Sequence, residues 1–318
     1  MAQQPAATAQ QVPGPGGRSG RNRVTAPTVR ARKGTTPVVM VTAYDAPTAR
    51  IADDAGVDVI LVGDSVAMVV LGYDDTLQVT VGDMAHHVAA VARTRPRALV
   101  VADLPWLSYH LSTDEAVRNA ATLVRAGASA VKLEGGRSRV AVVEALVDAQ
   151  IPVMGHLGLT PQSVHSLGGY RVQGRQADGA AAIVDDARAL ADAGCFAIVL
   201  ECVPREVARL VTEEIPVPTV GIGAGPDCDG QVLVIHDLLG LEDRIAPKFV
   251  RRYGTLKADA VAAVAGYADD VRAGTFPSDA ESYHLADGVA ASLDARHPSP
   301  GETPGGRSAG GTPGSRSA

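Results

Sequence analysis

The chain has 318 residues, of which 46% are hydrophobic and 20% charged, and its formal net charge is −6. This length allows two domains or one extended barrel, while the acidic balance argues against a dedicated nucleic-acid binder. Three cysteines without a CxxC pair exclude a disulfide scaffold and are typical of a reducing compartment, so we expect a cytoplasmic protein. No apolar run reaches the roughly 18 residues that predict a membrane span.

The two ends of the chain differ in composition from its middle. Residues 1–36 contain six bases and no acid, are rich in Ala, Gln, Gly and Pro, and predict a disordered basic tail. An Arg-rich, acid-free leader is also typical of a transit peptide, although its PGPGG stretch is a poor helix former. Residues 294–318 are a second segment rich in Gly, Pro and Ser that we expect to be disordered. The folded catalytic domain is therefore predicted over residues 37–293.

Between these ends, short Val-rich runs alternate with longer segments of helical period. Strands are predicted at 38–44, 57–63, 98–102, 130–134, 152–156, 196–201, 218–222 and 231–235. Helices are predicted at 46–55, 82–93, 113–126, 138–149, 179–193, 204–214 and 256–272. Runs that are apolar throughout are typical of a parallel sheet covered by helices on both faces. Eight such units predict one α/β domain, a (βα)8 barrel. The alternative is a doubly wound open sheet, which would have a Gly-rich phosphate-binding turn after the first strand. This chain has the sequence YDAP there instead.

Polar and charged residues stand at the C-terminal ends of five consecutive predicted strands. In a (βα)8 barrel these ends carry the catalytic groups. The residues concerned are Asp64, Ser65, Asp103, Lys132, Glu134, His156 and Glu201. Because an unpaired buried carboxylate is costly, carboxylates that follow apolar runs need a cation, a proton or a partner.

Three of these carboxylates, Asp64, Asp103 and Glu134, lie on neighbouring predicted strands. Converging carboxylate oxygens suit a hard divalent cation such as Mg²⁺, which keeps several waters and leaves room for substrate oxygens. The alternative is that they cap nearby helices or bind basic side chains of the rim. Lys132 lies two positions before Glu134 on the same side of the strand. It is placed either to bind an anionic substrate or to neutralise Glu134.

Glu201 stands across the predicted barrel from this group, after the apolar run IVL. Burial after such a run raises the proton affinity of a carboxylate, as a general base requires. The alternative is a salt bridge to Arg171 or Arg175. His156 is placed to bind substrate or to orient Glu201, although a lone histidine at a strand end is more often structural. Alternation along the strand points Cys202 away from the pocket and argues against a cysteine nucleophile.

These rim segments resemble those of the ketopantoate hydroxymethyltransferase (3-methyl-2-oxobutanoate hydroxymethyltransferase) family. The matching stretches are VTAYDAPTARIADDAG, ILVGDS, VVADLPWLSY, AVKLEGG, GHLGLTPQSV, LGGYRVQGR, LECVP and VGIGAG, in the family's order over residues 38–276. Gln78 stands where the family usually has a proline, and Trp106 where it usually has a phenylalanine. The resemblance implies a barrel of the isocitrate lyase and phosphoenolpyruvate mutase type.

The resemblance also implies a reaction. The family transfers a hydroxymethyl group from 5,10-methylenetetrahydrofolate to 3-methyl-2-oxobutanoate, which gives 2-dehydropantoate and tetrahydrofolate in the pathway to pantothenate and coenzyme A. It works as a homo-oligomer, a decamer of two pentameric rings. The nearest alternative is a Mg²⁺-dependent carbon–carbon lyase of the related barrels. That group tends to carry a KKCGH-type loop, whereas HLGLTPQS occupies the comparable stretch of this chain.

Site roles follow from the resemblance, residue by residue. Asp64, Asp103 and Glu134 match the Mg²⁺-site carboxylates, and the first two leave positions for the keto acid. Ser65 and Lys132 match positions that contact the keto acid, and His156 matches a histidine near the substrate. Glu201 matches the proton acceptor, which removes the proton from the β-carbon of the keto acid.

Overall fold

Eight parallel strands form a closed barrel in the structure, a computed structural model that describes residues 22–242, 244, 247–286 and 288–296. The strands are β1 Val38–Thr42, β2 Val59–Val62, β3 Leu99–Asp103, β4 Ala130–Glu134, β5 Val153–Gly158, β6 Ala197–Glu201, β7 Thr219–Ile222 and β8 Gly230–Leu233. Each strand pairs with its neighbours in chain order, and β8 closes the ring on β1. The predicted (βα)8 barrel is confirmed, and each predicted strand has its counterpart.

Helices connect most of the strands. They are α1 Ala26–Arg30, α2 Ala46–Asp54, α3 Val66–Val69, α4 Val81–Ala92, α5 Thr113–Ala126, α6 Val140–Asp148, α7 Val164–Leu167, α8 Ala177–Asp192, α9 Arg205–Glu214, α10 Ile235–Leu238, α11 Leu256–Ala273 and α12 Val289–Arg296. Side chains that accept first-turn N–H groups fix several starts, such as Thr80 before α4 and Ser112 before α5. Within the described part of the chain, none of the helices has both the length and the apolar character needed to cross a bilayer.

The core of the barrel has two layers. The outer layer lies between strands and helices, and it joins side chains such as Ile60 of β2, Val88 of α4 and Leu123 of α5. The inner layer consists of the alternate strand residues, among them Met40 and Leu99. Because both faces of β2 and β3 are covered, every residue of these strands is buried, which explains why they read as continuous apolar runs.

Residues 22–36 correct the expected boundary of the folded part at residue 37. Val24, Ala26 and Val29 are buried against the inner layer at the strand starts, and we call this end of the barrel the floor. Lys33 continues the contact by pairing with Asp229, with 2.9 Å between Nζ and Oδ2. A few small apolar residues are enough to cover the floor, so the basic, Pro-containing composition did not reveal them. The disorder expected for residues 1–21 and 297–318 lies outside the described residues.

The chain divides into two compact units, Met1–Lys257 and Ala258–Ala318. The first contains the complete barrel, whose last strand ends at Leu233. The second contains most of α11, a helix in which no residue is buried. In this unit the rings of Tyr267 and Phe276 are in contact, with 5.4 Å between their centroids. The domain predicted over residues 37–293 therefore spans the barrel and the described start of a second unit.

Candidate active site

The C-terminal rim of the barrel collects the side chains that the sequence singled out. Asp64 follows β2, Asp103 ends β3, Lys132 and Glu134 lie in β4, His156 lies in β5 and Glu201 ends β6. Together with Ser65 they line one cavity of about 430 Å³. Asp64 and the side chains from β3, β4 and β5 are buried, whereas Ser65 and Glu201 are partly exposed to solvent. Closure of the barrel thus brings all seven residues to one site.

Lys132 forms an ion pair with Asp103 inside this cavity. The distance between Nζ and Oδ1 is 2.8 Å, and the two side chains are 5% and 3% exposed. Burial by itself lowers the pKa of the Lys132 ammonium, but the attraction of the carboxylates, Asp103 foremost, outweighs burial and raises it. Lys132 is therefore a permanent cation. Its ion-pair partner is Asp103 rather than Glu134, the partner that the sequence analysis considered.

Asp64 and Asp103 are crowded carboxylates. Burial raises the pKa of Asp64 well above its usual value, and the charges of Asp103 and Glu134 add to the effect. Burial also raises the pKa of Asp103, although Lys132 opposes it. The Asp64 backbone N–H donates to Asp103 Oδ2 at 3.1 Å, which fixes the two residues relative to each other. The carboxylates of the cavity outnumber its cations, so an added cation would stabilise their ionised forms.

His156 lies between two carboxylates and one ammonium. Its Nε2 is 3.3 Å from Glu201 Oε2, and its Nδ1 is 3.5 Å from Glu134 Oε1 and 3.2 Å from Lys132 Nζ. Burial and the charge of Lys132 lower its pKa, but the contacts with Glu134 and Glu201 outweigh them and raise the pKa of His156 to about 9. The orienting contact with Glu201 that the sequence analysis considered is present.

Glu201 faces the cavity with its side chain 17% exposed, so it is less desolvated than its apolar run predicted. Its backbone oxygen accepts the Leu159 N–H at 2.8 Å. Gly158 makes this approach possible, since its φ is +92° and a Cβ there would lie 2.2 Å from the same oxygen. The arginines considered as partners form no ion pair with Glu201 among the described residues, where its ionic neighbour is His156.

Tyr44 is a functional-site residue that sequence reasoning missed. Its hydroxyl lies 2.9 Å from Ser65 Oγ, and its ring is fully buried. Burial raises the pKa of the Tyr44 phenol, so it stays protonated and available for hydrogen bonding. His87 Nδ1 lies 2.7 Å from the Tyr44 backbone oxygen and anchors it. Tyr44 stands in the quoted VTAY stretch, but only the pairing of β1 with β2 brings it to Ser65.

Gln162 and Tyr109 are two further residues that sequence reasoning missed. Gln162 Nε2 donates to Asp64 Oδ2 at 2.8 Å, and its backbone N–H donates to Glu134 Oε2 at 3.0 Å. Its Oε1 accepts the hydroxyl proton of Tyr109 at 2.7 Å. Both residues occur in quoted stretches, TPQS and WLSY, but uncharged side chains in connecting segments gave no signal of their own.

Cys202 corrects an expectation about side-chain direction. Alternation along β6 would point it away from the pocket, yet it lines the cavity. The strand ends at Glu201 and Cys202 adopts a left-handed φ of 48°, so the alternation of strand residues does not extend to it. Burial, with the nearby charge of Glu201, raises the pKa of the Cys202 thiol to about 11. The thiol is therefore a poor nucleophile, as the sequence analysis argued on other grounds.

The outer walls of the cavity are mainly apolar. They are lined by residues that include Met68, Val69, Leu159, Tyr170, Val172 and Phe249. The two departures from the family pattern lie elsewhere: Gln78 is exposed, Trp106 is 42% exposed, and neither lines the cavity. These substitutions therefore do not alter the walls.

The oxygen donors of the rim fit a hard divalent cation. Glu134 Oε1 is a buried atom that accepts no hydrogen bond, and Asp103 Oδ1 is a buried atom whose partner is Lys132 Nζ at 2.8 Å. Among the described residues, no group of three or more His, Cys, Asp or Glu side chains is arranged to hold a metal ion by itself. Mg²⁺ is commonly bound by one or two carboxylates, with water and substrate oxygens completing the shell. The three-carboxylate site therefore stays a prediction.

The fold and the rim define a class of protein. A closed parallel barrel with carboxylates, a lysine and a histidine converging at the strand ends is a (βα)8-barrel enzyme. A family model described as ketopantoate hydroxymethyltransferase matches residues 23–279, and the chain belongs to this family. The resemblance seen in the sequence is thereby confirmed.

Named relatives are similar over most of the chain. The 3-methyl-2-oxobutanoate hydroxymethyltransferase of Moorella thermoacetica is 58% identical over 265 residues, which cover 83% of this chain and 98% of the relative. A protein of the same name from Ignicoccus hospitalis is 59% identical over 242 residues, covering 76% of this chain and 92% of the relative.

Solved structures share the fold at low identity. The phosphoenolpyruvate phosphomutase of Streptomyces platensis superposes with a TM-score of 0.55 at 16% identity, covering 86% of this chain and 95% of that one. A 2,3-dimethylmalate lyase, described as a member of the PEP mutase/isocitrate lyase superfamily, superposes with a TM-score of 0.52 at 18% identity. The match covers 85% of this chain and 98% of that one. These likenesses show that the chain shares the barrel fold of these structures.

Proposed function

We propose that the chain transfers a hydroxymethyl group from 5,10-methylenetetrahydrofolate to 3-methyl-2-oxobutanoate, giving 2-dehydropantoate and tetrahydrofolate for pantothenate and coenzyme A synthesis. The observation that carries the proposal is the acidic rim cavity in a chain of this family, with Glu201 beside His156 on one side and Lys132 on the other. The reaction removes a proton from carbon, stabilises the resulting negative charge and delivers a one-carbon unit. Each of these needs has a candidate residue in the cavity.

Asp64, Asp103 and Glu134 are the residues that would hold Mg²⁺. Their oxygens are the donor type that Mg²⁺ prefers, and Glu134 Oε1 is buried without a hydrogen-bond donor. When bound, the ion supplies Lewis-acid stabilisation of negative charge on the keto-acid oxygens. The protein's own part is to hold these carboxylates together at the rim, with Asp64 fixed to Asp103 by its backbone N–H.

Glu201 is the proposed base that takes the proton from the β-carbon of the keto acid. Its carboxylate reaches the cavity, and its backbone is fixed by the Leu159 N–H. His156 Nε2 lies 3.3 Å from Oε2, and this ionic contact restrains the carboxylate. Restraint of this kind favours one geometry for proton transfer.

Lys132 and Ser65 are the proposed contacts of the keto-acid carboxylate. Lys132 remains protonated beside Asp103, so it presents a fixed positive charge to an anion. Ser65 Oγ is held by Tyr44 at 2.9 Å, which directs the hydroxyl. An anionic substrate needs such local attraction because the chain as a whole is acidic. The apolar outer walls leave space beyond a small keto acid, and we propose that the folate co-substrate approaches there.

An assay of product formation tests the proposal. The full chain is incubated with 3-methyl-2-oxobutanoate, with and without methylenetetrahydrofolate and Mg²⁺, and 2-dehydropantoate is measured. We expect product only with both additions, no product in excess chelator, and recovery on restoring Mg²⁺. Folate-independent cleavage of a 2-hydroxy or 2-keto acid would instead favour the lyase alternative, which rests on fold alone.

We propose that the protein acts in the cytoplasm as a homo-oligomer, with the decamer implied by the family resemblance as the specific form. The three cysteines are free thiols, as a reducing compartment requires. Light scattering coupled to size-exclusion chromatography measures the assembly. A mass equal to one 32.6 kDa chain would contradict it.

A further inference from the structure

Gln162 is a neutral residue that donates hydrogen bonds to two carboxylates of the rim, Asp64 and Glu134. It lies in the short 3-10 turn Pro161–Ser163 that follows β5, and only 5% of its surface is exposed. A buried amide needs partners for both of its ends, because an unsatisfied polar group in the core costs free energy. The partners of Gln162 therefore indicate what the residue does.

The amide end of Gln162 is directed at Asp64. Its Nε2 donates to Asp64 Oδ2 at 2.8 Å and to the backbone oxygen of Leu104 at 3.0 Å, which uses both amide protons. Its Oε1 accepts from Tyr109 OH at 2.7 Å, and the Tyr109 oxygen in turn accepts the Glu134 N–H at 3.1 Å. This chain of donors leaves one orientation of the amide, with the N–H groups toward the carboxylate.

The backbone of Gln162 serves a second carboxylate. Its N–H donates to Glu134 Oε2 at 3.0 Å. One residue thus binds one oxygen of Asp64 and one oxygen of Glu134, which stand 98 and 28 positions before it in the chain. The other oxygen of Glu134, Oε1, is buried and accepts no hydrogen bond. When one carboxylate oxygen is held by a protein donor, the other is left to bind a ligand in a defined direction.

We propose that Gln162, supported by Tyr109, is a positioning residue that holds Asp64 and Glu134 in the arrangement that binds a divalent cation. The inference rests on the proposed function, since it assigns a role within the same cation site. The competing explanation is that Gln162 only fastens the Pro161–Ser163 turn to Leu104, which predicts a loss of stability without a change in cation affinity.

Cation affinity separates these explanations. The test compares the full-length chain with Gln162→Met, which keeps the length and buried volume of the side chain but removes its donors. Gln173→Met is the matched control, because Gln173 lies in the same connection and its side chain donates to the Arg171 backbone oxygen, away from the carboxylates of the rim. Isothermal titration with Mg²⁺ alone measures binding, and circular dichroism and the melting temperature check the fold.

We expect Gln162→Met to weaken Mg²⁺ binding by about 10- to 100-fold, the range found when partners of metal ligands are removed. The Mg²⁺ concentration for half-maximal activity should rise by a similar factor, and part of the turnover should return at saturating Mg²⁺. Gln173→Met should have the same Mg²⁺ affinity as the parent and the same Mg²⁺ concentration for half-maximal activity. A folded Gln162→Met protein whose Mg²⁺ affinity is within twofold of the parent would overturn the assignment.

Tyr109→Phe provides a second variant if Gln162→Met does not fold. It keeps the buried ring and removes only the hydroxyl that orients the amide, so we expect about threefold to tenfold weaker Mg²⁺ binding. Unchanged affinity in this variant would also count against the proposal. A parent chain that neither binds Mg²⁺ nor forms 2-dehydropantoate would refute the proposed function itself, whereas an active, Mg²⁺-binding parent with an unaffected variant would refute this inference alone.

Discussion

The barrel contains two lysine–aspartate ion pairs of almost the same length at its opposite ends. On the floor, Lys33 Nζ lies 2.9 Å from Asp229 Oδ2, and at the rim Lys132 Nζ lies 2.8 Å from Asp103 Oδ1. The carboxylates of both pairs are nearly fully buried, at 6% and 3% exposure. The distance does not distinguish the pairs, but Lys33 is 24% exposed whereas Lys132 is 5% exposed, and the surroundings of the two pairs differ.

The floor pair is saturated with protein donors. Asp229 accepts backbone N–H groups from Gly34 and Thr219 at 2.9 Å in addition to Lys33. Lys33 also donates to the Thr212 backbone oxygen. A carboxylate that already accepts from three protein donors has little capacity left for a ligand. This pair joins the segment that carries α1 to the barrel.

The rim pair is left incomplete by comparison. Asp103 has Lys132 and the Asp64 backbone N–H as its donors among the described residues, and burial together with the nearby charge of Glu134 raises its pKa. Buried charge that is only partly compensated costs stability, and such clusters concentrate where a protein binds or reacts. The comparison teaches that crowding of buried carboxylates, rather than an ion pair as such, marks the functional end of this barrel.

The largest effect is expected at the rim, from Glu201→Gln. If Glu201 is the base, its loss should lower turnover by about 10²–10⁴-fold, the usual contribution of a general base, while keto-acid binding is retained. Solvent exchange of the β-hydrogen of 3-methyl-2-oxobutanoate, followed by NMR in D₂O, measures the proton-transfer step directly. Glu206→Gln, an exposed change in the first turn of α9, is the control. Near-normal exchange in Glu201→Gln would assign the base elsewhere.

The floor should respond in stability instead of activity. Asp229→Ala leaves Lys33 and two backbone N–H groups without their acceptor, so we expect the free energy of unfolding to fall by about 3 kcal/mol. Turnover per folded molecule should not change. Urea denaturation followed by circular dichroism measures the loss. Asp227→Ala, which removes a more exposed partner of Arg205, should cost less than about 1 kcal/mol. If Asp229→Ala reduced turnover per folded molecule, the floor would have a functional role that its saturation argues against.

The smallest change in stability is expected for Asp64→Asn, and it should be a gain where Asp229→Ala gives a loss. The raised pKa of Asp64 means that the folded chain holds its proton more tightly than the unfolded chain. The contribution of Asp64 to the free energy of unfolding is thus favourable at a pH below its pKa in the unfolded chain. This contribution is lost as the pH rises through the pKa of Asp64 in the folded chain. At neutral pH, above the unfolded pKa, the burial of Asp64 costs stability, so asparagine should leave stability unchanged or raise it by about 1 kcal/mol. Activity should fall by about 100-fold.

Melting temperatures across a pH series in chelator measure this effect. The advantage of Asp64→Asn over the parent should shrink as the pH falls, because Asp64 then becomes protonated in both states. A variant that is less stable than the parent at neutral pH would show that Asp64 is a structural anion like Asp229, and the contrast between the two ends would fail.

Local patterns predicted the parts of the site that carry charge. Asp103 and Glu201 each follow an apolar run, and the parallel sheet that such runs predict must gather their strand ends on one rim. Cys202 was placed wrongly because strand alternation was extended one residue beyond the end of β6, where the backbone turns to a positive φ. Residues 22–36 were misassigned because their basic, Pro-containing composition outweighed a few buried apolar side chains.

The sequence by itself determined the order of strands and helices, the closed parallel sheet and the set of charged residues at its mouth, because these depend on periodicity and on neighbours along the chain. Only the tertiary structure decided which partner each of them meets. Lys132 pairs with Asp103, Tyr44 holds Ser65, and Gln162 joins two carboxylates. These contacts join residues that are distant in the chain, and a neutral amide or phenol acquires its role only when the barrel closes around it.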